Sequence, residues 1–368
     1  MTTENDAPLQ LRLSGFAKPI QSALIEAGLA ESEMAKTRSF FADNDLTLNL
    51  NTNSWAFTPR GATTRKVAEE SEQEPSGAVG NFQVFSDAMP SMKDLLSVVM
   101  GHVVELSKNP TVVTGFSTGF LELDEQTTGL QPGQLTLVAG YPSIGKTAFS
   151  LNIAEHVALE IGLPVLIFSL ELSGAQITGR MLSSIARVDK HRLRTGQLDG
   201  GDWDRLNAAR VKLQEATIRV NDNTRMSVNE LGPCTRRMYH RCRGLGLIIV
   251  DRLQLISVPA NDSSDAIVMS KVVRYLKALA KELRVPVVLI SQLTRASKDR
   301  INQRPLLSDL RDYGDIEQVA DVILFIHRDD ESNDDSREIT IAKQRNGPVG
   351  TVKLKFSPQY TRFDNFAS

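Results

Sequence analysis

Residues 135–159 read LTLVAGYPSIGKTAFSLNIAEHVAL, and this stretch decides the fold. An apolar, β-prone run ends at Gly140, a short loop follows, and apolar residues then recur at helical spacing. The loop, GYPSIGKT, matches the phosphate-loop pattern G-x-x-x-x-G-K-[ST] and sits where that pattern works, between a buried strand and a helix. Its logic is electrostatic. Backbone amides and the positive end of the helix point at a β-phosphate, Lys146 reaches the β- and γ-phosphates, and the Thr147 hydroxyl ligates Mg²⁺. Gly140, Tyr141, Pro142, Ser143, Ile144, Gly145, Lys146, Thr147 and Ala148 are therefore the candidate nucleotide-binding residues. The bland alternative is a Gly-rich turn that only joins strand to helix.

Outward from this loop, residues 111–368 alternate short β-branched runs with longer helical patterns. That alternation predicts stacked βαβ units around a mostly parallel, doubly wound sheet. Strands are predicted at 135–140, 164–170, 216–220, 245–251, 285–292, 321–326, 337–343 and 351–356. Several are apolar on both faces, as burial under helices on both sides requires. LIIVD delivers Asp251 to the carboxyl mouth of the sheet, where a carboxylate can hold magnesium through water, although many buried strands end in Asp. SLELS places Glu171 just past the strand at 164–170. A carboxylate there could orient and deprotonate an attacking water, and it would equally suit a helix N-terminus.

The remainder of the chain is read from composition. Of 368 residues, 41% are hydrophobic, more than one core needs, so a principal domain plus something smaller is expected. The net charge of −2 excludes a whole-surface polycation, so any nucleic-acid contact must come from a local basic groove. Cys234 and Cys242 are the only cysteines, too few for a disulfide framework, and no structural metal is expected. The opening MTTENDAPLQ has no basic-then-apolar pattern, and the apolar runs fall short of the roughly 20 residues of a membrane span, which predicts a cytoplasmic protein with no membrane partner. Residues 8–42 are expected to hold one or two helices, and the polar stretch 60–80 reads as a linker within an N-terminal region 1–86. SMKDLLSVVMGHVVEL, residues 91–106, has helical periodicity with Ser91 placed as a cap. This helix, within a linker segment 87–110, should pack on something outside its own domain.

Together, TGLQPGQLTLVAGYPSIGKTAF, VLIFSLELS, LIIVDRLQLI, VPVVLISQLTR, SDLRDYGDIEQVADVILFIHRD, IAKQRNGPVGTVKLKF and RFDN resemble the motor domain of DnaB-type replicative DNA helicases. The resemblance runs from about Ser91 to Ser368. It implies a RecA-like P-loop NTPase fold, a homohexameric ring with ATP and Mg²⁺ at subunit interfaces, and translocation along single-stranded DNA that unwinds the duplex. By the same resemblance the helix at 91–106 docks on the neighbouring subunit, Glu171 is the catalytic carboxylate, Asp251 the magnesium carboxylate and Gln292 a polar sensor between nucleotide and DNA. Lys343 and Arg345, in KQRNGP, would reach the γ-phosphate bound by the next subunit. Arg suits that role because its planar guanidinium stays charged and donates bidentately. Without the resemblance, the same cations would be a solvated hairpin edge that deters aggregation. Arg311, Asp312 and Gly314 fall at the positions that hold the DNA backbone, in a loop that could also simply start a helix at Ser308 or Asp309.

Four features depart from the resembled pattern. Arg252 stands where the family has Tyr, and RDYG stands for R-E-S-G. Pro233 interrupts a helical pattern, so that helix should start late or kink. Residues 1–86 do not resemble the family's helical collar domain, so primase coupling is not expected, while a helicase loader is a partner class that the resemblance admits. Two other readings share these motifs: a RecA-like recombination ATPase, and a non-catalytic ATP-binding module that assembles with or inhibits another helicase ring.

Overall fold

The computed structural model describes residues 9–11, 44–49, 54–59, 89, 91–108, 110–257, 265–293, 304–328 and 335–366. The chain divides into two compact units, Met1–Met89 and Pro90–Ser368. In the first, β1 (Leu9–Leu11), β2 (Asn44–Asn49) and β3 (Ser54–Pro59) form an antiparallel sheet in the order β1-β2-β3. Leu9–Leu11, at the front of the stretch 8–42 in which one or two helices were expected, is a strand; the rest of that stretch, and the linker at 60–80, lie outside the described residues. A three-residue strand is held by its ladder to β2 rather than by local propensity, which is why no helical signal applies there.

The second unit begins with α1 (Met92–Lys108). Its start follows from local chemistry. Ser91 Oγ donates to Asp94 Oδ2 at 2.6 Å and accepts from Asp94 N at 3.3 Å, a reciprocal cap over the otherwise unsatisfied first-turn amides. The helix buries none of its residues within its own chain, and Leu96, Val99, Met100 and Val103 are exposed along it.

After α2 (Leu121–Thr127) comes the main sheet. Its strands are β4 (Leu135–Gly140), β5 (Val165–Ser169), β6 (Ile218–Asn221), β7 (Leu247–Asp251), β8 (Val287–Gln292), β9 (Val322–His327), β10 (Ser336–Gln344), β11 (Gly350–Ser357) and β12 (Arg362–Asp364). They lie in the order β12-β11-β10-β9-β4-β8-β7-β5-β6. From β9 to β6 the pairing is parallel; β10, β11 and β12 add on antiparallel. This is the doubly wound, mostly parallel sheet predicted above. The strand β12, three residues of RFDN, was not foreseen.

Alternation along each strand feeds two cores. On β7, Ile248 and Val250 join one apolar cluster and Leu247 and Ile249 the other. One face is covered by α3 (Lys146–Leu159) through Phe149, Ile153 and Val157, the other by α8 (Asp265–Leu283) through Val272, Leu276 and Leu279. Each such buried aliphatic contributes about 1.5–3 kcal/mol, so truncating Ile249 to Ala would cost about 2–5 kcal/mol. Beyond β5 the chain forms α4 (Gly174–Ala186), α5 (Lys190–Thr195) and α6 (Gly200–Glu215) before returning through β6.

The helix carrying Pro233, α7 (Val228–Cys242), does not start late: it begins five residues before the proline. Ser227 Oγ donates to Glu230 Oε2 at 2.8 Å, fixing the first turn. Leu231 and Thr235, both buried, anchor the chain on either side of the proline. Proline removes one ladder hydrogen bond and crowds the carbonyl four residues before it, and the helix forms across Pro233 with the cap and this burial in its favour.

Candidate functional site

The phosphate loop spans β4 and α3, as the sequence predicts. Its shape rests on backbone conformations that most residues avoid. Gly145 has φ 109° and a Cβ there would lie 3.0 Å from the Phe363 ring, so glycine is required. Ser143, although not a glycine, has φ 63°, a strained conformation of the kind kept where backbone amides must converge.

Around the loop the parallel strands end together. Since β5, β7 and β8 are neighbours, residues just past their carboxyl ends meet at one edge of the sheet. A cleft of about 310 Å³ results, lined by Gly145, Lys146, Thr147, Glu171, Asp251, Arg252 and Gln292 among others. Lys146, Thr147, Glu171, Asp251 and Gln292, separated by up to 146 positions in the chain, are thereby brought to one place.

Within the cleft, Thr147 Oγ1 donates to Asp251 Oδ2 at 2.7 Å, and Lys146 Nζ donates to the Tyr141 carbonyl at 2.8 Å. Burial pushes the Lys146 ammonium down from 10.5 to about 8; Asp251 works against that shift, while the Arg252 charge adds to it. Burial likewise raises the Asp251 carboxyl above the ordinary carboxylate range, with the Thr147 hydrogen bond opposing. The Thr147 hydroxyl and the Asp251 carboxylate are hard oxygen donors side by side, which fits a Mg²⁺ ion that takes few protein ligands and otherwise keeps water and phosphate oxygens. No group of three or more His, Cys, Asp or Glu suited to a metal occurs among the described residues.

Two predicted residues stand apart from this cleft. Arg345 N donates to the Asp321 carbonyl, and Asp321 N donates to the Leu135 carbonyl, so Arg345 sits level with the start of β4. Lys343 pairs with Ile323, which pairs with Leu137. The phosphate loop leaves the other end of β4, about 17 Å away along a six-residue strand. Both cations hold the carbonyl end of α9 (Ile316–Val319). Lys343 Nζ donates to the Ala320 carbonyl at 2.8 Å and Arg345 Nη2 to the Gln318 carbonyl at 2.6 Å, where a helix C-terminus favours positive charge. Burial and the adjacent Arg345 hold the Lys343 pKa below its usual value.

The loop predicted to meet DNA is a 3-10 turn, Leu307–Tyr313, ending at Gly314. It starts at Leu307, and Asp309 Oδ2 accepts from Leu306 N at 2.9 Å, so Asp309 caps the turn from inside rather than starting it. Gly314 has φ 70°, and a Cβ there would meet Ala266 O at 2.4 Å, so the backbone lies against the first turn of α8. Arg311 is exposed. The Asp312 side chain lies outside the described residues.

Residues that sequence reasoning did not place in a site include Asp321 and Arg252. Asp321, nearly buried, accepts from Leu135 N at 2.8 Å and Lys277 Nζ at 2.6 Å, and pairs with Arg345 Nε at 3.2 Å. In the sequence Arg252 stands out only as the residue after Asp251 where the resembled pattern has Tyr. Neither carried a local pattern that would have announced its partners.

Residues 115–365 match the family described as DnaB-like helicase C terminal domain. The chain is 40% identical over 319 residues to the replicative DNA helicase DnaB of Buchnera aphidicola, covering 84% of this chain and 69% of that protein. It is 41% identical over 321 residues to the protein of the same name from Haemophilus influenzae, covering 85% and 69%. Among solved structures it resembles a DnaB-like replicative helicase, described with its interactions with primase, with a TM-score of 0.69 and 34% identity over 76% of this chain and 68% of that one. A solved ATPase domain is similar over its whole length, with a TM-score of 0.71 and 33% identity, covering 76% of this chain.

Proposed function

Because the chain belongs to the DnaB-like helicase family, we propose that it is an ATP-driven replicative DNA helicase whose hydrolytic sites are completed between copies in a hexameric ring. The observation that carries this reading is the separation of charges within one protomer. Lys146, Glu171 and Asp251 face one edge of the sheet while Lys343 and Arg345 face the other, so a single copy has cations placed for a phosphate that its own loop cannot present to them. Arg345 keeps about half of its side chain exposed (48%), which leaves it accessible to a neighbour.

In this mechanism the loop amides and Lys146 bind the triphosphate, and Thr147 and Asp251 would hold Mg²⁺, which when bound neutralises charge on the β- and γ-phosphate oxygens. Glu171, at the mouth of β5, orients the attacking water and takes its proton. Arg345, with Lys343, enters from the adjoining subunit and stabilises the charge that develops in the transition state, a contribution of about 10³ to 10⁵ in rate. Gln292, at the end of β8, acts as a polar sensor between nucleotide and DNA. Arg311 and the backbone around Asp312 and Gly314 hold DNA phosphates without reading bases, as a motor moving along any sequence requires. The apolar face of α1 supplies a joint between copies, since exposed Leu96, Val99 and Val103 gain burial only against another surface. Among the described residues no helix is long and apolar enough to cross a membrane. Work on replicating DNA would place the protein in the cytoplasm.

The test combines strand displacement on a forked DNA with particle mass measured with and without ATP. ATP-dependent unwinding by a six-copy particle is expected, with ATPase that rises on adding single-stranded DNA and falls on dilution. A full hydrolysis rate from an isolated monomer, indifferent to dilution and DNA, would overturn the reading.

A further inference from the structure

The residue after Asp251 lies where β5, β7 and β8 end side by side, with β7 in the middle. A long side chain at that point can touch residues following either neighbour. Arg252 touches both. Its Nη1 donates to Gln292 Oε1 and lies 3.5 Å from Glu171 Oε2. Its Nε finds no acceptor among the described residues, so the guanidinium is held by these contacts at one end only. Gln292 is itself placed from the same turn: Gln254 Nε2 donates to the Gln292 carbonyl at 3.2 Å and to Ser291 Oγ at 2.9 Å.

An ion pair this open does little for stability. The Glu171 side chain is 45% exposed, and exposed pairs of this geometry contribute little to folding. What the pair changes is where the carboxylate points. Both contacts are made by Nη1, so a single guanidinium nitrogen sits between the Gln292 amide oxygen and the Glu171 carboxylate, and a shift of either acceptor moves the group that faces the other.

We propose that Arg252 is a positioning residue that couples the orientation of the Glu171 carboxylate to the side chain of Gln292. This rests on the reading of Glu171 as the group that orients the attacking water. A displacement of the Gln292 side chain is thus passed to the carboxylate through one guanidinium. The consequence falls on turnover more than on binding: the nucleotide is held chiefly by the loop and Lys146, and Arg252 sets how well the bound triphosphate meets its water.

The experiment uses the full chain with ATP and an oligo-dT strand. Arg252→Met, Arg252→Lys, Gln292→Met and the Arg252→Met/Gln292→Met pair are compared by steady-state ATPase, by binding of a fluorescent ATP analogue and by thermal melting. Arg252→Met is expected to lower kcat by about 10- to 100-fold, the cost of a misplaced catalytic group, with KM for ATP altered less than about threefold. Arg252→Lys should recover part of the loss, and the double variant should be no slower than the slower single one. Losses that multiply in the double variant, or an effect on KM alone, would overturn the coupling. A melting temperature lowered equally by Met and Lys, with equal loss of turnover, would assign Arg252 to the fold instead and overturn it as well. Glu171→Gln in the same assay separates the two levels. Undiminished turnover there removes the assignment of Glu171 itself, whereas lost turnover combined with independent Arg252 and Gln292 effects removes only the role of Arg252.

Discussion

Replacing Lys146 by Met should stabilise the protein in the absence of nucleotide while destroying its grip on phosphate. Lys146 is 8% exposed, and burial lowers its pKa from 10.5 to about 8. Holding the ammonium charged in that place therefore costs about 3 kcal/mol at 1.36 kcal/mol per pH unit, an upper figure that includes the partial compensation from Asp251. Methionine fills a similar volume with no charge to desolvate, so Lys146→Met is expected to raise the unfolding free energy by about 2 kcal/mol at pH 7. The pH dependence has a definite sign. Between pH 8 and 10.5 the unfolded chain binds a proton that the native protein has released, so native stability rises with pH there and the cost disappears. The advantage of the Met variant should thus be complete below about pH 8 and gone by about 10.5. Urea unfolding of both proteins at about pH 7, 9 and 10.5 reads this directly. Saturating Mg-nucleotide should reverse the order at pH 7, because only the unsubstituted protein gains binding stabilisation, about 2.7 kcal/mol at a hundred times Kd. A Met variant less stable than its parent at pH 7 without nucleotide would refute the claim that this lysine is held against its solvation preference.

Three other outcomes follow from the same geometry. Arg345→Ala should reduce ATP turnover by about 10³ to 10⁵ with nucleotide affinity nearly unchanged, because Arg345 is level with Leu135 rather than with its own phosphate loop; calorimetry beside an ATPase assay checks both halves. Nucleotide affinity should be flat below about pH 8 and weaken by up to about tenfold per pH unit above it, since phosphate binding needs the Lys146 proton that is lost there; titration from about pH 7 to 9.5 measures it. Asp321→Asn should destabilise the fold by about 1–3 kcal/mol in urea, since it strips the carboxylate charge from Lys277 and Arg345, both of them partly solvated.

Much of the fold could be read along the chain because its causes are local. Leu135–Thr147 alone carries the strand, the turn and the helix start, and each has its own residue logic: a both-faces-buried run, a glycine at φ 109°, a lysine and a hydroxyl in the first turn. The Ser91 cap is equally local, closed by Asp94 three residues on. Of the late start or kink expected for α7, the late start is not found, because Ser227 closes a first turn five residues before Pro233 and Leu231 and Thr235 are buried around it.

What the tertiary structure alone decided is which distant residues share an edge. Strand order is a non-local property: β7 pairs with β5 although β6 comes between them in the chain, β4 lies between β8 and β9, and nothing near Arg252 announces that its neighbours will be Glu171 and Gln292. The same holds for Arg345. Its motif marks it as a cation at a strand end, but that the end is opposite the phosphate loop follows from antiparallel pairing of β10 on β9. Sequence specifies the chemistry each side chain can perform through its own composition and its immediate backbone. The partner it performs it with is set by hydrogen-bond registry across the sheet, which depends on all the strands at once.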